Sequence, residues 1–241
     1  MSIKKALLAS GLALVMLYAV YSFALADESA RQAFIEDIIG SAKGYYNRAG
    51  NQPQRAHYSG DKYICKNFTI TVFKDNAKKY RLASYPDVPL KVPENLPKED
   101  CAPYTYGICW KFGPASEGNP FVLVDQFLYN ENLSPEENRE FARSLMMRVR
   151  RGDYFQMSAN YRHGVGAHSL IFISDYDPGT DSVHWTDSNM LGTSKSKIRY
   201  GYVQFDASED IDWFVDAFCQ KKRGATLYRL STDIEPVPVA E

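Results

Sequence analysis

Apolar residues recur along this chain at two spacings, one helical and one extended. From Glu28 to Arg48, Ala30, Phe34, Ile38, Ala42 and Tyr45 share one stripe and charges occupy the other side, which predicts an amphipathic helix. Asp61 to Phe73 satisfies both periods. Its β-branched residues favour a strand, yet Tyr63, Lys66, Ile70 and Phe73, with Phe68 and Val72, keep helical spacing, and Lys74 to Tyr80 continues with good helix formers. The reading adopted is a helix starting near Cys65. Ser134-Pro135-Glu136-Glu137 opens another helix: Ser134 caps, Pro135 takes the first helical position and Glu137 completes a capping box. That helix is expected to run to about Arg150. A further one is expected from about Ser208 to Lys221, with Ile211, Phe214, Val215 and Phe218 on one face.

The extended pattern is clearest after a glycine-broken loop, Gly164-Val165-Gly166. Ala167-His168-Ser169-Leu170-Ile171-Phe172-Ile173 reads as a strand, Asp177-Pro178-Gly179 as a turn, and Ser182-Val183-His184-Trp185-Thr186 as a second strand that delivers Asp187-Ser188-Asn189. Arg151-Gly152-Asp153 is a tight turn into Tyr154-Phe155-Gln156-Met157. Shorter strands are expected at Phe121 to Val124, Arg199 to Phe205 and Thr226 to Leu230. Ala49 to Gly60 reads as a polar loop carrying His57, Tyr85 to Pro103 with its five prolines as a surface excursion, and Cys101 to Gly118 as irregular. Helices followed by strands with short turns imply an α+β fold with an antiparallel sheet packed against a helix that carries the cysteine.

Composition changes the picture mainly by exclusion. The chain has 241 residues, 45% of them apolar, which suits one domain with a full core. A net charge of −1 gives no electrostatic case for a nucleic-acid partner. Met1 to Ala26 has a positive start at Lys4 and Lys5, an uncharged run, and Ala24-Leu25-Ala26 at its end, the pattern of an export signal. Uncleaved, the same run is long enough to anchor the chain in a membrane, which would be its sole membrane contact. The expected layout is a leader over 1–26, a single domain over 27–235 with a proline-rich insertion around 85–118, and a tail over 236–241, in a periplasmic or secreted protein.

In an exported chain four cysteines suggest disulfides. Cys101 and Cys109 are close in sequence and lie in a Pro/Gly-containing loop where they could pair. Cys65 and Cys219 would then pair with each other or stay free. Their spacing fits no zinc motif, and no cofactor is implied. If Cys65 is free it has the parts of an activated nucleophile around it. A helix N-terminus and a nearby imidazole lower a thiol pKa; His168 at a strand start would supply the imidazole, and Asp187 on the adjoining strand would fix its tautomer. Asn189, two residues on, projects from the same side of an extended chain.

The order of these pieces resembles the CHAP amidase and NlpC-type group of papain-like cysteine hydrolases. The matching stretches are Tyr63-Ile64-Cys65-Lys66-Asn67-Phe68, Arg151-Gly152-Asp153-Tyr154-Phe155, Gly166-Ala167-His168-Ser169-Leu170-Ile171-Phe172 and Asp187-Ser188-Asn189. The resemblance implies a papain-like domain with Cys65 as nucleophile, His168 as base, Asp187 as orienting acid and Asn189 as a fourth member. It also matches Tyr63 to an aromatic beside the substrate, and it implies cleavage of amide bonds in peptidoglycan or other peptides. Lys66 departs from it, standing where the group usually has a small or polar residue. A transglutaminase-like enzyme and a non-catalytic binding domain with Cys65 in a disulfide are the alternatives.

Overall fold

The computed structural model describes residues 28–49, 54–57, 64–91, 94–95, 110–111, 113–158, 167–191 and 198–238. The expected leader, Tyr63, the Cys101–Cys109 pair and the Gly164 to Gly166 loop lie outside these residues. Helix α1 spans residues 28–49, and α2 (Cys65–Ala77), α3 (Pro135–Met146) and α4 (Ile211–Phe218) follow. The strands of the main sheet are β1 (Gln54–His57), β6 (Phe121–Leu128), β7 (Tyr154–Met157), β8 (His168–Phe172), β9 (Ser182–Leu191), β10 (Ile198–Asp210) and β11 (Gly224–Leu230). They lie in the order β1-β10-β9-β8-β7-β11-β6, with every pair antiparallel. Strands β2 (Tyr80–Leu82), β3 (Tyr85–Pro89) and β12 (Ile234–Pro236) form a small sheet, and β4 (Glu94–Asn95) pairs with β5 (Trp110–Lys111). The fold is therefore α+β with antiparallel sheets.

Alternation along the strands feeds two cores. Ile171 and Ile173 join Tyr154, Val203, Tyr228 and the apolar stripes of α1 and α2, where Phe34, Phe68, Val72 and Phe73 are fully buried. Leu170 and Phe172 join Phe155, Met157, Trp185 and Leu227 against α3 and α4. This two-sided burial leaves every residue of β7 and β8 buried, with no solvent face to alternate with the core. It also settles the ambiguous stretch. Burial of Phe68, Val72 and Phe73 on one side of α2 outweighs the weak helix propensity of Thr69, Ile70, Thr71 and Val72.

Several expected boundaries move. The polar loop around His57 contains strand β1, and the proline-rich stretch contains β3, an edge strand, where prolines cost no ladder bond. Within the stretch read as irregular, Trp110–Lys111 is strand β5. Helix α3 begins as read: Ser134 Oγ accepts from Glu137 N at 3.1 Å, and Glu137 Oε2 accepts from Ser134 N at 2.8 Å. It stops at Met146, short of Arg150. Strand β6 continues to Leu128, and β10 runs on to Asp210. Helix α4 therefore starts later than Ser208, capped by Asp210, whose Oδ1 accepts from Trp213 N at 2.9 Å, and it ends at Phe218. The tail begins inside β12, which pairs with β2.

The turn at Gly152 ties the two cores together. Gly152 N donates to Phe172 O at 2.8 Å and Phe172 N donates to Asp153 O at 2.9 Å. Asp153 is fully buried, and both its oxygens accept from Arg229 at 2.7 Å. Gly152 has φ +87°, and a Cβ there would stand 2.6–2.8 Å from three side-chain carbons of Ile35. We expect Gly152→Ala to cost about 2–4 kcal/mol, the positive φ and the overpacking combined. In an Ile35→Ala background the same change should cost about 1–2 kcal/mol, because only the backbone penalty remains. Urea unfolding of the four chains measures both values; equal costs in the two backgrounds would disprove the contact.

Candidate active site

Strands β8 and β9 place the central pair. Leu170 opposes Asp187 across the antiparallel ladder, so His168, two residues earlier on β8, is a diagonal neighbour of Asp187 on the same face. Nε2 of His168 and Oδ2 of Asp187 are 2.8 Å apart, and both side chains are wholly shielded from solvent. Asn189, projecting from the same side of β9, donates from Nδ2 to Asp187 Oδ2 at 3.4 Å. Asp187 Oδ1 has no hydrogen-bond partner among the described residues. A buried carboxylate served so sparingly needs a cation close by, and the imidazolium of His168 is that cation. Asp187 and Asn189 lie inside β9, which continues past Thr186 to Leu191, so ladder bonds fix their positions.

Helix α2 brings the thiol. Cys65 is its first residue, partly exposed and free. Its φ of +46° is unusual for a residue with a Cβ. Ile64 precedes it in an extended conformation and offers no side-chain cap, and no acidic residue occupies the first turn. The first-turn N–H groups are thus not served by a side-chain cap, and the positive end of the helix dipole meets no carboxylate of its own first turn. The helix packs against both β8 and β9. Burial alone pushes the His168 pKa down. Hydrogen bonds to Asp187 and to Cys65, together with their charges, outweigh burial and raise it from 6.5 to about 9. Since Nε2 serves the carboxylate, Nδ1 is the nitrogen suited to exchange a proton with the thiol.

The cysteine question left open by the sequence has an answer here: Cys65 and Cys219 are both free thiols, so they form no disulfide with each other. His184 pairs with Asp206 at 2.7 Å, but those side chains are 43% and 63% exposed, so water screens a pair that resembles the buried one only in composition. Gly152 and Asp153 serve the turn described above and not the site.

Sequence reasoning missed the polar row beside His168. Ser169 Oγ donates to Gln156 Oε1, and Gln126 Nε2 donates to Thr226 Oγ1 at 3.1 Å; Gln156, Ser169 and Thr226 are buried. The available signal was one uncharged polar residue in each of three strands, Gln156 in β7, Ser169 in β8 and Thr226 in β11. Among the described residues, no cluster of three or more His, Cys, Asp or Glu side chains is placed to hold a metal ion, and no helix is long and apolar enough to cross a membrane.

The raised pKa has a stability consequence. The folded chain holds the His168 proton more tightly than the unfolded chain, whose ring titrates near 6.5. The pair's contribution is therefore complete below pH 6.5 and is lost as pH rises through about 9. Urea midpoints of the wild type should fall across that window, and Asp187→Asn should flatten the slope. An equal slope in both proteins would contradict the pairing.

Comparisons with known proteins supply no relative: no family model, no curated protein and no solved structure matches this chain.

Proposed function

We propose that this chain is an exported, papain-like cysteine hydrolase that cleaves amide bonds, with peptides of peptidoglycan as its first substrate class. The observation that carries the reading is one fully buried imidazole bonded to a buried carboxylate at 2.8 Å, with a free thiol at a helix start acting with that carboxylate to raise its pKa. Each component has a separate chemical task, and together they form a nucleophile, its base and the group that orients the base.

In this mechanism His168 already holds the Cys65 proton in the resting enzyme, so a thiolate stands beside an imidazolium. The thiolate attacks the amide carbonyl. First-turn N–H groups of α2 face the oxygen as it becomes negative, and the helix dipole favours that charge. The imidazolium then donates its proton to the departing amine, leaving an acyl-enzyme. Water, deprotonated by His168, attacks the acyl carbon and releases the acid, restoring the thiolate. Asp187 holds Nε2 throughout, so a single ring orientation serves both halves of the cycle. Asn189 steadies the carboxylate. Residues 1–26 act as the export signal, which puts the domain where its wall substrate is.

The test is digestion of purified peptidoglycan, with released fragments read by mass spectrometry. Wild type should release peptide fragments, Cys65→Ala none above background, and Asp187→Asn at least roughly 100-fold fewer per unit time. Equal release by wild type and Cys65→Ala would remove the nucleophile. The rate should also decline above about pH 9, as the imidazolium loses the proton needed by the leaving amine.

A further inference from the structure

Two locally unfavourable choices meet at one cleft of about 500 Å³, which lies between α1 and strands β8 to β10. Gly40 lines it from the middle of α1, where a Cβ would meet nothing within 4 Å. Glycine weakens a helix interior relative to alanine, and no neighbour here excludes a methyl group. On the strand side, the register of β10 against β9 shifts between Gln204 and Ala207, and Asp206 takes a φ of +60°. That bulge turns Asp206 onto His184 Nδ1 at 2.7 Å, although a pair as exposed as this one adds little to folding. A carboxylate held in a strained backbone, serving a pair that folding does not need, points to function.

The lining fixes the chemistry. Ile39 and Ile173, both nearly buried, form an apolar floor, and Lys43 Nζ stands 5.9 Å from the centroid of the Phe205 ring. Each carboxylate in the lining is already bonded to a cation: Glu36 holds Arg151 at 2.7 and 2.9 Å, and Asp206 holds His184. What the cleft offers a ligand is therefore positive, the Lys43 ammonium and, in the imidazolium form, the Nε2–H of His184. We propose that the cleft is a second binding site, separate from Cys65 and His168, for a small carboxylate on an apolar body, of the kind a peptide's carboxyl-terminal residue presents. One ammonium beside one imidazole matches a singly charged carboxylate; the doubly charged phosphate group is usually served by several donors or a guanidinium fork. His168 opens β8 and the cleft lies past that strand's other end, so the two sites share no residue. The inference does not depend on the hydrolase reading.

N-acetylleucine is the probe, and N-acetylleucinamide is its uncharged counterpart. The readout is the ring signals of His184 in histidine-selective 15N spectra of the full chain, assigned by their loss in His184→Gln. N-acetylleucine should shift them saturably and leave those of His168 in place, and the amide should bind about tenfold more weakly, the size of one charge-assisted hydrogen bond. Lys43→Gln should weaken N-acetylleucine binding by a similar factor. Gly40→Leu should abolish it with a thermal midpoint at or above that of the wild type, since leucine is the better helix former and its Cβ meets no neighbour. Cys65→Ala should bind as the wild type does. Equal binding of acid and amide overturns the selection for a carboxylate. Wild-type binding by both Lys43→Gln and Gly40→Leu, or shifts confined to the His168 signals, overturns the cleft as the site.

Discussion

The burial of an ionisable pair, His168 with Asp187, is the constraint on which the rest of the site depends. Neither group tolerates removal from water alone, and each is held there by the other at 2.8 Å. Most buried polar groups in this protein have a structural explanation. Asp153 and Arg229 lock a turn, and Asn138, within α3, bonds the backbone at Asn130. The His168 pair differs because the free thiol of Cys65 also acts on the ring and helps raise its pKa.

The fold meets the demands of this pair with rigid parts. The β8–β9 ladder sets the diagonal that joins ring and carboxylate, and the two cores on either side of the sheet prevent the strands from shifting register. Helix α2 is anchored by Phe68, Val72 and Phe73 in one of those cores, so its first residue is placed by packing further along the helix. Its uncapped start looks like a local defect, since α3 and α4 both have side-chain caps. In the mechanism proposed above, it leaves room for the negative charge of the thiolate. A Ser or Asp cap would stabilise α2 by about 1 kcal/mol but would compete with the thiolate for the same N–H groups.

Local chemistry was legible in the sequence where a short motif determined it. The capping box of α3, the hairpin turn after Asp177 and the glycine at 152 each needed only neighbouring residues to be read. The histidine, the acid and the asparagine were recoverable because two adjacent strands in a hairpin have a nearly fixed relation. What could not be read depends on distant partners. Strands β1, β3 and β12 are short edges whose pairing is decided by the sheets they join. The Asp153–Arg229 pair spans most of the second half of the domain, and the polar row through Gln156 and Ser169 requires knowing which strands are neighbours. The second free thiol was not legible either: spacing alone allowed Cys65 and Cys219 to be paired or free.

The most direct measurement is histidine-selective 15N NMR of the ring of His168, assigned by its disappearance in His168→Ala. An imidazolium spectrum that persists through neutral pH and titrates near 9, and whose midpoint falls when Cys65 is replaced by alanine, is the result this account requires. A neutral ring at pH 7.5, or a midpoint indifferent to Cys65, would contradict it.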